Sequence, residues 1–382
     1  MIPFNKPFLT GNETQYIKEA VESGKISGNG LFTQKCQIYF EKEYGFKKAL
    51  LTTSCTDALE MAAILANIQP GDEVIIPSFT FVSTALAFVR QGAKVLFTDS
   101  NKWNPNIDVE LIEGLITEHT KAIVPVHYAG IACNMDKIMQ IAQKYNLLVI
   151  EDAAQAICSS YKNNEGKIQK LGSIGHLAAF SFHETKNVIS GEGGMLAIND
   201  NRFTERAEII WEKGTNRSQF FRGEVNKYNW KDTGSSFLPS EITAAFLWAQ
   251  LQNIELIQLK RIKLWNLYHQ NLKALYENGN IESPHIPTYA SNNGHIYYIL
   301  LHDSSIRERL IAFLKSAGIM SVFHYLPLHS SDYYANKHDG RDLPLAEKYS
   351  NCLLRLPMYF DLEEREVQMI TDNIHKFFNQ QY

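Results

Sequence analysis

The stretch Leu147-Leu-Val-Ile-Glu-Asp152 is an apolar run that ends on two carboxylates. A second run, Ala178-Ala-Phe-Ser-Phe182, leads into His183-Glu-Thr-Lys-Asn187. Both are apolar nearly throughout, without regular polar alternation, so both read as strands buried on two faces. Five more short runs share that character: Ala49-Leu-Leu-Thr-Thr53, Glu73-Val-Ile-Ile76, Lys94-Val-Leu-Phe-Thr98, Ala122-Ile-Val-Pro-Val126 and Gly194-Met-Leu-Ala-Ile198. Helical patterns near 57–66, 80–90, 108–116 and 135–145 separate the earlier runs. This alternation predicts an α/β fold built on a mostly parallel seven-stranded sheet covered by helices. In such sheets a ligand sits beyond the carboxyl ends of the strands. Asp152, Lys186 and the Thr53-Ser-Cys-Thr56 turn all fall at such ends.

Ser240 to Asn278 reads as one long helix, with Leu251, Ile254, Ile262, Trp265, Tyr268, Leu272 and Leu275 on one stripe and Gly279 as its stop. Beyond it the pattern changes. Ile296–Leu301 reads as a strand, Ser305–Ala317 as a helix, Met320–Tyr325 as a strand and Leu362–Phe378 as a terminal helix. The expected division is a large α/β domain over 1–245, then a bridging helix and a smaller C-terminal α+β domain over 246–382.

Composition bounds the function. The chain has 382 residues, 45% hydrophobic and 20% charged, which suits a soluble globular protein. A net charge of −4 with scattered basic residues gives no reason to expect nucleic acid or a membrane as partner. Cys36, Cys55, Cys133, Cys158 and Cys352 are widely spaced and form no CxxC pair. That points away from zinc and from a disulfide framework, and toward reduced thiols in a cytoplasmic protein. The first residues lack the apolar core of a signal peptide, and no run approaches the length of a membrane span.

Lys186 and Asp152 together suggest pyridoxal 5'-phosphate (PLP). An amine can bond to the cofactor aldehyde, and a carboxylate can hold the pyridine nitrogen protonated so that the ring accepts electrons. Singly, Asp152 reads as a helix N-cap and Lys186 as a solvated side chain. Their joint placement, with Gly191-Glu-Gly-Gly194 just beyond, carries the reading. Glu151 reads as structural. The Thr53–Thr56 turn precedes a helix, so its free N–H groups could hold a phosphate, helped by the hydroxyls of Ser54, Thr56 and Ser181. Taken alone, the turn is equally an ordinary cap. Phe81, in Pro77-Ser-Phe-Thr-Phe81, could stack on a flat ring or fill the core. The first strand–helix turn carries no GxGxxG, which counts against a dinucleotide fold. Arg217 and Arg222 flank Phe220 and Phe221, a set that suits a diphosphate with a base or sugar as well as a solvated loop. His324 and His329 are separated by Pro327, a spacing unsuited to a metal pair, and no metal is expected.

These segments, with Gly71-Asp-Glu-Val74, Pro125-Val-His-Tyr128 and Glu151-Asp-Ala-Ala-Gln155, resemble the sugar aminotransferases of the DegT/DnrJ/EryC1/StrS family. The resemblance runs from Pro3 to the last helix. It implies the aspartate-aminotransferase fold (PLP fold type I), with Lys186 bonded to the cofactor and Asp152 at the pyridine nitrogen. Gln155 would face the phenolic oxygen, Phe81 would stack on the ring, and Ser54, Cys55, Thr56 and Ser181 would surround the phosphate. It further implies a nucleotide ketosugar and L-glutamate as substrates, with Arg217, Arg222, His324 and His329 on the substrate side, and a homodimer with active sites at its interface. Most of the group carries Gly-aromatic-Asn-aromatic-Arg before the long helix, its Asn reaching the phosphate in the other subunit's site. Here Gly234-Ser-Ser-Phe-Leu238 puts Ser236 in that place, where it could still donate a hydrogen bond, and Leu238 in place of the Arg. Segments 212–223 and 323–329 are similar to the branch that aminates C4 of dTDP-4-dehydro-6-deoxy-D-glucose for enterobacterial common antigen. Other readings are a nucleotide-ketosugar aminotransferase of different regiochemistry or stereochemistry, and an inactive PLP-binding homologue. Lys186 argues against the sugar dehydratases of the group, which carry His there.

Overall fold

The computed structural model describes residues 1–380. Its strands are β1 (Lys48–Thr52), β2 (Glu73–Pro77), β3 (Lys94–Thr98), β4 (Thr120–Ile123), β5 (Leu148–Asp152), β6 (Ser160–Lys162), β7 (Ile168–Lys170), β8 (Leu177–Ser181), β9 (Gly194–Ile198), β10 (Tyr297–Leu300) and β11 (Leu353–Leu356). Seven of them form one sheet in the order β1-β9-β8-β5-β4-β2-β3. Only β9 runs against the others, paired antiparallel with both β1 and β8. Every residue of β2, β8 and β9 is buried, because helices cover both faces. Successive residues along a strand serve opposite faces. Leu50, Val74, Ile76 and Phe97 enter one core with helices Cys55–Leu65, Ser83–Val89 and Thr204–Trp211. Leu51, Ile75 and Leu96 enter the other with helices Leu31–Tyr44, Met135–Tyr145 and Glu241–Leu251.

A third core joins Ile2 to Leu264, Tyr268, Leu310, Leu354 and Ile374, around the antiparallel pair β10–β11. The expected helix 240–278 is three helices, Glu241–Leu251, Ile254–Asn271 and Lys273–Glu277. Leu251 and Ile254 pack into the sheet core, whereas Leu264, Trp265 and Leu275 pack into the third one. Core membership therefore changes between Ile254 and Leu264, not at 245/246, which lies inside a helix packed on the sheet. The expected helix 108–116 is two 3-10 turns, Val109–Leu111 and Glu113–Leu115, with Gly114 inside the second. The expected strand 320–325 is reduced to a single bridge, Val322 to Arg355, on the edge of β11 that β10 leaves open. Among the described residues no helix is long and apolar enough to cross a membrane.

One buried carboxylate ties the N-terminal helices to this frame. Glu241, 1% exposed, accepts from the backbone N–H groups of Gly30 (2.9 Å), Phe32 (2.7 Å) and Thr33 (3.1 Å), and from the Thr33 hydroxyl. It thus caps helix Leu31–Tyr44 from another element. A Cβ on Gly30 would lie 2.6 Å from the Glu241 carboxyl carbon, so only glycine permits the approach. Glu241→Ala would leave those donors buried and unpaired. Unfolding by urea should show a loss of about 3 kcal/mol or more; a loss under about 0.5 kcal/mol, the level of an ordinary surface change, would contradict this account.

Candidate active site

A cavity of about 620 Å³ opens at the carboxyl ends of the parallel strands, and Asp152, Lys186, Ser54, Phe81 and Gln155 are among its lining. Asp152 ends β5. Beside it, β8 pairs in parallel, with Asp152 opposite Ala179. Lys186 follows β8 in a loop folded back on itself by Glu184 N to Gly191 O (2.9 Å), Ser190 N to Phe182 O (2.7 Å) and Lys186 N to His183 O (2.9 Å). Adjacent strands thus deliver the carboxylate and the amine to one space.

The two carboxylates at the end of β5 divide their work, because neighbours on a strand face opposite sides. Glu151 is fully buried under the sheet. It accepts from the N–H groups of Gly172 (2.8 Å), Ile174 (2.8 Å) and Gly175 (2.6 Å) and contacts His127 Nε2 (2.9 Å). His127 Nδ1 accepts from the Cys133 N–H (3.2 Å), so Nε2 carries the proton and donates to Glu151. Glu151 is therefore structural. Asp152 faces the cavity and is held by Thr84 Oγ1 (2.7 Å) and the Ala154 N–H (3.1 Å). Burial raises its carboxyl above the ordinary range, while the bonds from Thr84 and Ala154 work against the rise. Burial likewise lowers the Lys186 amine, against the pull of Cys55 and Asp152. Among the described residues no carboxylate lies within 4.0 Å of Lys186 Nζ. Both groups are thus pushed toward neutrality. A cationic ring nitrogen beside Asp152 would reverse its half of that balance.

The turn after β1 supplies the anion site. Ser54 caps helix Cys55–Leu65 by accepting from the Asp57 N–H (3.0 Å). Among the described residues the N–H groups of Cys55 and Thr56 find no acceptor, as at any helix start. They face the cavity with the Thr56 and Ser83 hydroxyls, which lie 2.7 Å apart. A Cβ on Gly194 would fall 2.4 Å from Cys55 N and the Ser54 carbonyl, so glycine lets β9 start directly against this turn. An amine, a carboxylate and a helix N-terminus around one cavity fit PLP: Lys186 for the aldehyde, Asp152 for the ring nitrogen, and the turn for the phosphate.

Ser54, Cys55, Thr56, Phe81, Asp152, Gln155, Ser181, Lys186 and His324 all line this cavity. Phe81 is 56% exposed, which leaves its ring open to it. Gln155 accepts from the Ala129 N–H (2.7 Å) and donates to Tyr325 (3.3 Å). Arg217 and Ser236 line a separate hollow of about 310 Å³ with Lys25 and Leu238. Arg222 lines neither space and is paired with Glu208 (2.9 Å) and Glu224 (2.6 Å). His329 also lies outside, pinned to Ser78 Oγ (2.7 Å) and Glu347 (3.3 Å). Sequence reasoning missed Thr84, His295, Tyr325 and Arg355. Arg355 had a visible signal, the one charge in the apolar run Leu353–Leu356.

The fold and this set of groups define a PLP-dependent aminotransferase. The family model described as the DegT/DnrJ/EryC1/StrS aminotransferase family matches residues 7–375, and the chain belongs to that family of sugar aminotransferases. It is 33% identical to the GDP-perosamine synthase of Caulobacter vibrioides, covering 95% of each chain. It is 31% identical to the spore coat polysaccharide biosynthesis protein SpsC of Bacillus subtilis, covering 98% of this chain and 96% of that one. The aminotransferase of Psychrobacter cryohalolentis shares 25% identity and the same fold, with a TM-score of 0.91 over 99% of both chains.

The neighbours at the end of β5 should separate in experiment. Asp152→Asn keeps the shape and should cut kcat/KM by about 10²-fold or more at unchanged thermal stability. Glu151→Gln turns an amide toward three N–H donors and should cost about 2–3 kcal/mol of stability. The opposite pattern would refute the division of roles.

Proposed function

We propose that the enzyme transfers the amino group of L-glutamate to C4 of dTDP-4-dehydro-6-deoxy-D-glucose, giving dTDP-4-amino-4,6-dideoxy-D-galactose. The observation that carries the reaction class is the unpaired Lys186 amine sharing one cavity with Asp152 and an empty-handed helix N-terminus. The sugar is supported by the likeness of segments 212–223 and 323–329 to the C4-aminating branch. The names of two relatives, GDP-perosamine synthase and a spore coat polysaccharide biosynthesis protein, support a nucleotide-linked sugar and a surface glycan as destination. On this reading the product feeds a lipopolysaccharide or enterobacterial common antigen pathway from the cytoplasm.

When bound, PLP supplies an electron sink for bond changes at the amino-bearing carbon. The chain does the rest. The turn at Ser54–Thr56, with Ser181, anchors the phosphate. Phe81 and Gln155 orient the ring, and Asp152 keeps its nitrogen protonated. Lys186 Nζ removes the proton from the donor's α-carbon and returns one to sugar C4 on a single face, which sets the configuration. We infer that a second copy of the chain brings Arg217 and Ser236, which lie outside the cavity, against its neighbour's cofactor and substrate. Exposed Phe221 and Trp230, 68% and 82% accessible, support such a contact face.

Given L-glutamate and dTDP-, GDP- and UDP-linked 3- and 4-ketosugars, the enzyme should prefer dTDP-4-dehydro-6-deoxy-D-glucose and yield an axial C4 amine by NMR. Higher kcat/KM with a GDP-linked or 3-keto substrate would replace this sugar assignment. Lys186→Ala should hold turnover below about one part in 10³ of the parent; retained activity would discard the proton-transfer role. The pH profile has a definite sign. Lys186 acts as a base only when neutral, and burial lowers its pKa from 10.5. Activity should therefore rise with pH through a limb below 10.5 and be lost beneath it. A limb at or above the ordinary lysine value would contradict the burial argument.

A further inference from the structure

Among the described residues two donors meet the Asp152 carboxylate: the Ala154 N–H on Oδ1 (3.1 Å) and the Thr84 hydroxyl on Oδ2 (2.7 Å). The first is backbone from the same turn. The second is a side chain 68 positions away, on helix Ser83–Val89. A buried threonine in a helix ordinarily gives its proton to a carbonyl three or four residues back. Thr84 is fully buried and gives its proton to Asp152 instead. Behind it, at 2.9 Å, stands the hydroxyl of Thr80, also buried. The rest of this segment belongs to the same site. Ser83 Oγ meets Thr56 Oγ1 in the phosphate turn (2.7 Å), and Thr80 and Phe81 line the cavity.

The two hydroxyls form a relay with a direction. An ionised carboxylate can only accept, so Thr84 donates its one proton to Asp152 and accepts from Thr80. Each hydroxyl proton then has an acceptor. If Asp152 carried a proton on Oδ2 and donated to Thr84, both bonds would reverse. The Thr80 proton would then be buried with no acceptor among the described residues. The bond to Asp152 is also stronger when the acceptor is charged. The relay therefore favours the anion. Burial works the other way and raises the carboxyl, and the Thr84 bond is the largest of the effects that oppose it. Lys186, His127, Cys55 and Tyr325 are the other titratable groups near Asp152. His127 is committed to Glu151 (2.9 Å), and none of the four bonds to the carboxylate.

We propose that Thr84, backed by Thr80, is a positioning residue that holds Asp152 as an anion, so that the proton between Asp152 and the cofactor's ring nitrogen rests on the nitrogen. Without that bond the carboxylate is the stronger base and draws the proton to itself. The ring would stay bound but accept electrons less well. Asp152 makes the contact, and Thr84 sets where its proton lies. This rests on the aminotransferase reading but not on which ketosugar is used.

Thr84→Val removes the hydroxyl and keeps the branched shape, whereas Thr84→Ser keeps the donor. Each variant is loaded with PLP isotopically labelled at the ring nitrogen, whose NMR signal reads its protonation without turnover. In Thr84→Val the signal should move toward that of an unprotonated pyridine. The maximal rates of the L-glutamate and ketosugar half-reactions should both fall about tenfold or more, with KM for each substrate within about twofold. Thr84→Ser should restore the parent signal and bring both rates to within about threefold of the parent. Thr80→Val should move the signal in the same direction by less. Thr84→Ala repeats the measurement if the valine variant does not fold. A lowered urea midpoint with the nitrogen signal and the rates unchanged would make Thr84 structural and overturn the proposal. So would a loss of rate in Thr84→Ser as large as that in Thr84→Val. A parent whose cofactor absorbance does not respond to L-glutamate would remove the aminotransferase reading itself. A responsive parent whose Thr84 variants keep its nitrogen signal would remove only the role of Thr84.

Discussion

β5 and β8 lie side by side and end in a carboxylate and a loop bearing an amine, and the rest of the active site depends on that adjacency. Parallel neighbours can be joined only by a long crossover, so Asp152 and Lys186 meet through the register of the sheet rather than through local sequence. Both are desolvated there, and each is driven toward its uncharged form. For a lysine this is the condition of a base. For the aspartate it is a tension that a cationic heterocycle would relieve. The site is built to be completed by PLP, and its family membership agrees with that design.

Around this pair the chain uses buried charge in two ways. Glu151 and Glu241 are fully saturated by N–H donors and hold loops and helices in place. Asp152, with one donor to each oxygen, and Arg355, whose Nε has no acceptor among the described residues, line the cavity. Saturation together with a place on the cavity wall separates the structural charges from those at the site. Together they distinguish Glu151 from Asp152 although the two are adjacent.

Much of the large sheet was legible in the sequence, because strands covered on both faces are uninterrupted apolar runs, and all seven runs are strands of the one sheet. Lys186, Asp152 and the Ser54–Thr56 turn were legible because each follows such a run. Less was legible where one pattern served two purposes. The stripe from Leu251 to Leu275 has helical spacing throughout, but it feeds two cores, and the chain interrupts it at Gln252–Asn253 and at Leu272. β11 was hidden because it follows helix Pro344–Cys352 without a turn residue. Missing β11 meant missing Arg355. Arg222 and His329 could not be placed from sequence, since their partners Glu208, Glu224, Ser78 and Glu347 are brought to them only by the fold.

The central claim is that one particular amine meets the cofactor. Borohydride reduction of the PLP-loaded protein, followed by proteolysis and mass mapping, tests it most directly. The account predicts one phosphopyridoxyl group per chain, on the peptide containing Lys186. A group on any other lysine, or no stable adduct at saturating cofactor, would contradict it.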